Sequence, residues 1–341
     1  MIIVVRPGAS SDQVQSVCDR LVELGYSIHR SDGVERTIIG AVGSPSLDKV
    51  EAAEQLRSYE WVENVIFVSR PYKFVARESK PQRSVIKCRD VEIGGNEVVV
   101  MAGPCTVESE DQMDATARSV AASGARILRG GAYKPSTSPY SFHGLGTEGL
   151  ELLRAVGDRY GLAVCTEVMD PRRVDEVAAY SDMLQIGTRN MQNYDLLREV
   201  GQLKVPVMLK RGMSAKYEEW LLAAEYIASG GNEAIVLCER GIRSFETYTR
   251  NMLDLAAVPV VKNLSHLPVI VDPSHGTGIR DLVPPMCLAA IACGADGLMV
   301  EVHPVPDHSA KDGAQSLDLQ QFADLMPKAR SVAQAIGRSL R

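Results

Sequence analysis

Between residues 98 and 300, short apolar runs alternate with stretches whose apolar positions recur at helical spacing, and each run stops at or near a residue that carries chemistry. The runs span 98–101, 126–128, 162–165, 183–186, 206–209, 234–237, 268–271 and 297–300. A continuous apolar run bounded by polar residues predicts a strand buried on both faces. Strand, helix, strand in succession predicts parallel pairing, because parallel neighbours need a crossover connection. Eight such units predict an α/β chain built around a (β/α)₈ TIM barrel, whose functional residues gather at the C-terminal strand ends.

The first 70 residues follow a different pattern. Strands are predicted at 2–5, 26–30, 37–42 and 62–68, with Ser31-Asp32-Gly33 as a turn between the second and third. Val14, Val17, Cys18, Leu21 and Leu24 form one helical stripe, and Leu47, Val50, Ala53 and Leu56 form another. The order βαββαβ predicts a ferredoxin-like domain over 1–70. Residues 71–83 hold two prolines and four Lys or Arg with no clean period and read as a linker. The catalytic barrel is expected over 84–341, opened by a hairpin at 85–98 that turns at Gly94-Gly95-Asn96 and covers the barrel floor.

Composition adds boundaries. The chain has 341 residues, 45% of them hydrophobic, and a net charge of −6, which argues against general nucleic-acid binding. No apolar stretch reaches the roughly 18 residues of a membrane span, and the N-terminal run stops at Arg6-Pro7 without the features of a signal peptide. Seven cysteines at irregular spacing show neither a disulfide framework nor a CxxC pair. A reduced cytoplasmic enzyme is expected.

Five cations, Arg129, Lys134, Arg189, Lys210 and Arg240, fall at or just after strand ends. In an acidic chain their focus on one mouth predicts a substrate with two or more anionic groups, although one or two could instead pair with barrel carboxylates such as Glu167. Cys105, His275 and Glu301 also sit at strand ends, and Asp312 follows the last strand. A thiolate, an imidazole and two carboxylates suit Mn²⁺, Fe²⁺, Co²⁺ or Zn²⁺ better than Ca²⁺ or Mg²⁺. Two other patterns carry less. Gly144-Leu145-Gly146-Thr147-Glu148-Gly149 is a literal GxGxxG, but it does not directly follow a strand, so it reads as a loop entering a helix. Asp272-Pro273-Ser274-His275 is too compressed for a Ser/His/Asp relay.

The runs Met101-Ala102-Gly103-Pro104-Cys105, Leu128-Arg129-Gly130-Gly131-Ala132-Tyr133-Lys134-Pro135, Ile186-Gly187-Thr188-Arg189-Asn190, Leu209-Lys210-Arg211-Gly212-Met213 and Val271-Asp272-Pro273-Ser274-His275-Gly276 together resemble the type Iβ 3-deoxy-D-arabino-heptulosonate 7-phosphate (DAHP) synthases. The resemblance spans nearly the whole chain. It implies condensation of phosphoenolpyruvate with erythrose 4-phosphate at the entry to the shikimate pathway. It implies one divalent metal ion on Cys105, His275, Glu301 and Asp312. It also implies that Arg129, Lys134, Arg189, Lys210 and Arg240 hold phosphoenolpyruvate, with Lys134 donating a proton and Glu167 orienting water or substrate. Ser136 and Thr137 are counted with the substrate-binding residues, and Cys105 and His275 with the catalytic ones. His29 and Ser31 match an effector site for tyrosine or phenylalanine, and a homotetramer is expected.

The chain departs from the family pattern at Ser136, where Lys-Pro-Arg-Thr is usual and the arginine grips the aldose phosphate. Lys216 or His143 is expected to compensate. The alternatives are a synthase that uses phosphoenolpyruvate with a different aldose, and a regulatory paralogue without catalysis.

Overall fold

A computed structural model describes residues 1–32, 37–43, 48–67, 71–134, 140 and 142–341. The chain divides into two compact units, Met1–Lys73 and Phe74–Arg341.

The first unit contains β1 (Ile2–Val5), α1 (Ser11–Glu23), β2 (Ser27–Asp32), β3 (Thr37–Val42), α2 (Lys49–Arg57) and β4 (Val62–Ile66). Its antiparallel sheet has the order β2-β3-β1-β4, that of a ferredoxin-like fold. A capping box at Ser10 starts α1: its hydroxyl accepts from Gln13 N while Gln13 Oε1 accepts from Ser10 N. Val14, Val17, Cys18 and Leu21 of α1 meet Ile3, Val5, Ile39 and Ala41 of the sheet in one core. Strand alternation turns the other set of side chains away from that core, leaving Ile38 and Val42 exposed. At the turn expected over Ser31-Asp32-Gly33, Ser31 and Asp32 instead continue β2 and pair with Ile38 and Thr37, and Gly33 falls outside the described residues.

The second unit opens with the hairpin β5 (Ile86–Cys88) and β6 (Val91–Ile93). Its turn is Arg89-Asp90, with Arg89 at φ 55°, rather than Gly94-Gly95-Asn96, which connects β6 to the barrel. The glycines drew the sequence reading away from a tight turn that an arginine closes. Ile86, Cys88, Val91 and Ile93 pack under the barrel interior as its floor.

Phe74 and its neighbours do not behave as a free linker. Phe74 N and Val75 N donate to Glu225, Ser265 Oγ donates to Val75 O, and Arg77 N donates to Leu264 O. These bonds make residues 74–84 a strap on the barrel unit.

Strands β7 (Val99–Gly103), β8 (Ile127–Arg129), β9 (Ala163–Val168), β10 (Met183–Ile186), β11 (Val207–Lys210), β12 (Ile235–Glu239), β13 (Val269–Val271) and β14 (Gly297–Glu301) close into a parallel barrel. Helices α3 (Glu110–Ser123), α4 (Thr147–Arg159), α5 (Val174–Ala179), α6 (Tyr194–Gly201), α7 (Tyr217–Ser229) and α8 (Ala257–Leu264) follow the first six strands. Helices α9 (Pro273–Thr277) and α10 (Val283–Ala292) follow β13, and α11 (Leu319–Ala335) follows β14. Gly146 caps α4, so the GxGxxG run is a helix entry and not a strand-to-helix phosphate loop.

The barrel interior explains how the site is aimed. Ile127, Cys165, Met183, Met208, Cys238, Ile270 and Met299 fill the interior. Side chains alternate across a strand, so the residue two positions on faces inward as well. Those residues are Arg129, Glu167, Gln185, Lys210, Arg240, Asp272 and Glu301. The apolar layer thus gives way to a charged layer at the C-terminal end on seven of the eight strands.

Candidate active site

A cavity of about 170 Å³ opens at that end. Cys105, Arg129, Lys134, Glu167, Arg189, Lys210, Arg240, His275 and Asp312 line it, together with Gln185, Met213, Arg250 and Lys311. Of the barrel site residues read from the sequence, Glu301 lies just behind this surface, and Ser136 and Thr137 fall outside the described residues.

On one side of the mouth, ligand atoms of Cys105, Glu301 and Asp312 lie within 4.8 Å of one another. Cys105 Sγ donates to Asp312 Oδ2 at 3.2 Å. His275 stands beside this trio, its Nε2 3.5 Å from Glu301 Oε1. Its Nδ1 is 2.8 Å from Asp272 Oδ2, though not aligned for a hydrogen bond, and has no hydrogen-bond partner among the described residues. Burial, with Glu301 and Asp312 nearby, pushes the Cys105 thiol up. A soft donor crowded by two carboxylates, with an imidazole facing them, is a donor set that fits a divalent transition metal. Gln315 Nε2 donates to Glu301 Oε2 at 2.6 Å and Arg250 donates to Asp312 Oδ1 at 3.1 Å, so both carboxylates are oriented by outer partners.

The cations divide by their partners. Arg129 pairs with Glu301 at 2.9 Å and Lys210 with Asp272 at 2.6 Å. Two of the five are therefore tied to barrel carboxylates, but to Glu301 and Asp272 rather than Glu167. Arg240 is different. It is 4% exposed, and its Nε and Nη1 have no hydrogen-bond partner among the described residues. Burial lowers its pKa from the ordinary guanidinium value. Leaving a buried donor unpaired costs about 1–3 kcal/mol, more for a charged group, so such donors call for an anion. Lys134 lies over Gly131, where a Cβ would stand 2.5 Å from its Cε and 2.8 Å from its Nζ. Burial opposes its charge, and the surrounding Cys105, Glu167 and Glu301 outweigh that, so its pKa is raised.

Glu167 occupies space that a glycine leaves. A Cβ at Gly187 would sit 1.9 Å from Glu167 Oε1, while Gln185 Nε2 donates to Glu167 Oε2 at 3.2 Å. Behind the cavity, Arg211 bonds to Glu239 at 2.9 Å and Asp254 at 2.8 Å. These two contacts secure the chain next to Lys210 and Arg240.

Sequence reasoning missed Gln185, Arg250 and Lys311, and it placed Asp272 at a strand end without giving it a role in the site. Gln185 and Asp272 carried a signal, since each lies two residues beyond an interior apolar residue. Arg250 and Lys311 sit in loops, where no periodicity marks direction. Lys216 and His143, expected to compensate at the aldose phosphate, are not among the residues that line the cavity. In the first unit, His29 and Ser31 are exposed on β2, at the edge of the sheet, opposite Gly40 and Ile38. Among the described residues, no helix is long and apolar enough to cross a membrane.

Comparison with known proteins agrees with this geometry. Residues 73–336 match the DAHP synthetase I family, and residues 1–70 match the DAHP synthase ferredoxin-like domain. The chain is 48% identical over 337 residues to phospho-2-dehydro-3-deoxyheptonate aldolase of Thermotoga maritima, covering 99% of each chain. It is 35% identical over 255 residues to 2-dehydro-3-deoxyphosphooctonate aldolase of Syntrophotalea carbinolica, covering 69% of this chain and 91% of the relative. The crystal structure of the Thermotoga maritima DAHP synthase superposes with a TM-score of 0.95 at 46% identity, covering 100% of this chain and 99% of that one. A truncated form of the synthase from that organism superposes with a TM-score of 0.74, covering 78% of this chain and 98% of its own.

Proposed function

The chain belongs to the DAHP synthetase I family, and we propose that its barrel condenses phosphoenolpyruvate with erythrose 4-phosphate, using one divalent metal ion per chain. The observation that carries this reading is the division of the cavity. Buried, unpartnered Arg240 donors lie at one part of the wall, and the Cys105–Glu301–Asp312 trio lies at another.

Arg240, Arg189 and Lys210 hold the phosphate of phosphoenolpyruvate, and Arg129 and Lys134 lie toward its carboxylate. Cys105, His275, Glu301 and Asp312 hold the metal, which when bound supplies Lewis-acid polarisation of the aldehyde. The barrel aligns C3 of phosphoenolpyruvate with the aldehyde carbon, and the new bond forms there. Lys134 delivers a proton to the developing alkoxide. Glu167, oriented by Gln185, positions the water that adds at C2 before phosphate leaves. The gain comes from aligning two anions and stabilising charge at the developing alkoxide.

A phosphate-release assay over a panel of aldoses tests the reading. Turnover with erythrose 4-phosphate supports it. Turnover confined to a five-carbon aldose phosphate would favour a chemistry like that named for the octonate aldolase relatives, and no turnover would favour a regulatory paralogue.

The ferredoxin-like unit, in this reading, binds tyrosine or phenylalanine beside His29 and Ser31 and inhibits the barrel, and the chain assembles as a homotetramer. Removing residues 1–73 leaves the strap from Phe74 onward in place. Such a chain should keep turnover and lose inhibition. Inhibition that survives the deletion would put the sensor in the barrel, and light scattering checks the assembly.

A further inference from the structure

We infer that Lys311 holds the phosphate of the second, aldose substrate and so sets the preference for a phosphorylated aldose; this rests on the condensation proposed above.

Two phosphorylated substrates in one cavity need two cationic sectors. Arg189, Lys210 and Arg240 belong to β10, β11 and β12 or the residues just after them, and they form one sector. The metal trio belongs to β7 and β14, nearly across the closed barrel. A short aldose that presents its aldehyde to the trio must put its phosphate within a few ångströms of that side.

The loops on that side offer few cations. Residues 104–109 and 135–146 contain no Lys or Arg. Arg280, after β13, is engaged by Asp307 Oδ1 at 2.9 Å and Gly313 O at 3.0 Å. Arg250 reaches in from the β12 loop but is engaged by Asp312 and Gln315. Residues 302–318 contain one Lys or Arg, Lys311. It lines the cavity next to Asp312, and its ammonium makes no ion pair or hydrogen bond among the described residues.

The loop presents Lys311 instead of letting it drift. Glu108 Oε1 accepts from Ala310 N at 3.0 Å, and Ser309 Oγ donates to Lys311 O at 2.7 Å. The chain then enters a left-handed conformation at Asp312, φ 55°. An anchored backbone on both sides of a half-buried, unpaired lysine is a point-charge phosphate contact with little left to order on binding.

The test uses the full-length, metal-loaded enzyme with erythrose 4-phosphate and with erythrose. Lys311→Ala should raise the KM for erythrose 4-phosphate roughly tenfold to a hundredfold, as expected for a lost hydrogen bond to a charged group. The KM for phosphoenolpyruvate and the kinetics with erythrose should stay within about twofold, and Lys311→Arg should recover most of the loss. Circular dichroism and an unchanged phosphoenolpyruvate KM show that the variant is folded. Equal losses with both aldoses, a matching rise in the phosphoenolpyruvate KM, or no change at all would overturn the assignment. Wild-type protein that turns over neither aldose would instead overturn the condensation itself.

Discussion

Asp272 Oδ2 lies 2.6 Å from Lys210 Nζ and 2.8 Å from His275 Nδ1. One buried carboxylate oxygen therefore stands between a lysine of the proposed phosphate-holding sector and an imidazole of the proposed metal site. Burial alone would raise the Asp272 carboxyl, and the His275 and Lys210 charges overcome that and hold it well below the ordinary range.

Removing that carboxylate leaves Lys210 buried without its counter-charge. Asp272→Asn should destabilise the barrel by about 3–5 kcal/mol, the usual cost of breaking a buried ion pair by deleting one partner. It should also raise the phosphoenolpyruvate KM. Urea unfolding followed by intrinsic fluorescence reads the first effect and steady-state kinetics the second. An Asn variant as stable as the parent would mean the pair contributes nothing net.

Metal removal should abolish turnover, with activity restored by Mn²⁺, Co²⁺ or Zn²⁺ added back. Cys105→Ser should lose most of the affinity for a soft ion, because the thiolate is the soft donor in the set. Titration calorimetry on the apo-protein measures this without relying on activity. Because the Cys105 thiol is buried and pushed up, it should alkylate slowly in metal-free protein. Fast, stoichiometric labelling of Cys105 would contradict the packing described.

Gly187→Ala should act through Glu167. The added methyl carbon would fall 1.9 Å from Glu167 Oε1, so the carboxylate must swing away from Gln185. The expected outcome is a fall in kcat of roughly tenfold or more, from misplacement at the reacting centre. A variant with parental kcat would remove Glu167 from the proposed water-positioning role.

The strap over 74–84 predicts an acid-sensitive contact. His266 Nε2 donates to Phe74 O at 2.7 Å, so the neutral ring offers Nδ1 to Ser84 Oγ at 2.9 Å. Burial, the largest cause, lowers the His266 pKa below its ordinary value of about 6.5. The unfolded chain then binds a proton before the folded one does. The contribution of this contact is fully present above about pH 6.5 and is lost as pH falls toward the depressed folded value. Barrel stability measured by denaturant at pH 7.5 and pH 5.5 should differ less in His266→Gln than in the parent. An equal acid loss in both would place the sensitivity elsewhere.

The strand pattern was legible because a barrel strand is buried on both faces and reads as an apolar run. Seven of the eight strands end in an inward-facing polar or charged residue two positions beyond an interior apolar one. For that reason Arg129, Glu167, Lys210, Arg240 and Glu301 could be picked out one strand at a time. The same rule marks Gln185, which the sequence reading passed over, and Asp272, which it placed at a strand end without a role. Local turn chemistry was less reliable: Arg89-Asp90 closes the floor hairpin although the glycines stand at 94 and 95. Likewise, the composition of 71–83 resembled a linker, but backbone bonds to Glu225, Ser265 and Leu264, distant in sequence, dock residues 74–77.

By itself, then, the sequence determined the class of fold, the direction in which the barrel faces its chemistry, and the residue types that meet there. Those follow from periodicity, which is local. Which cation pairs with which carboxylate was decided only by the tertiary structure. Arg129 meets Glu301 across 172 residues, Lys210 meets Asp272 across 62, and Arg240 meets no hydrogen-bond partner for two of its nitrogens among the described residues. The side of the mouth at which Lys311 stands was decided in the same way. Barrel closure brings β14 beside β7, and no spacing along the chain encodes the distances across that mouth.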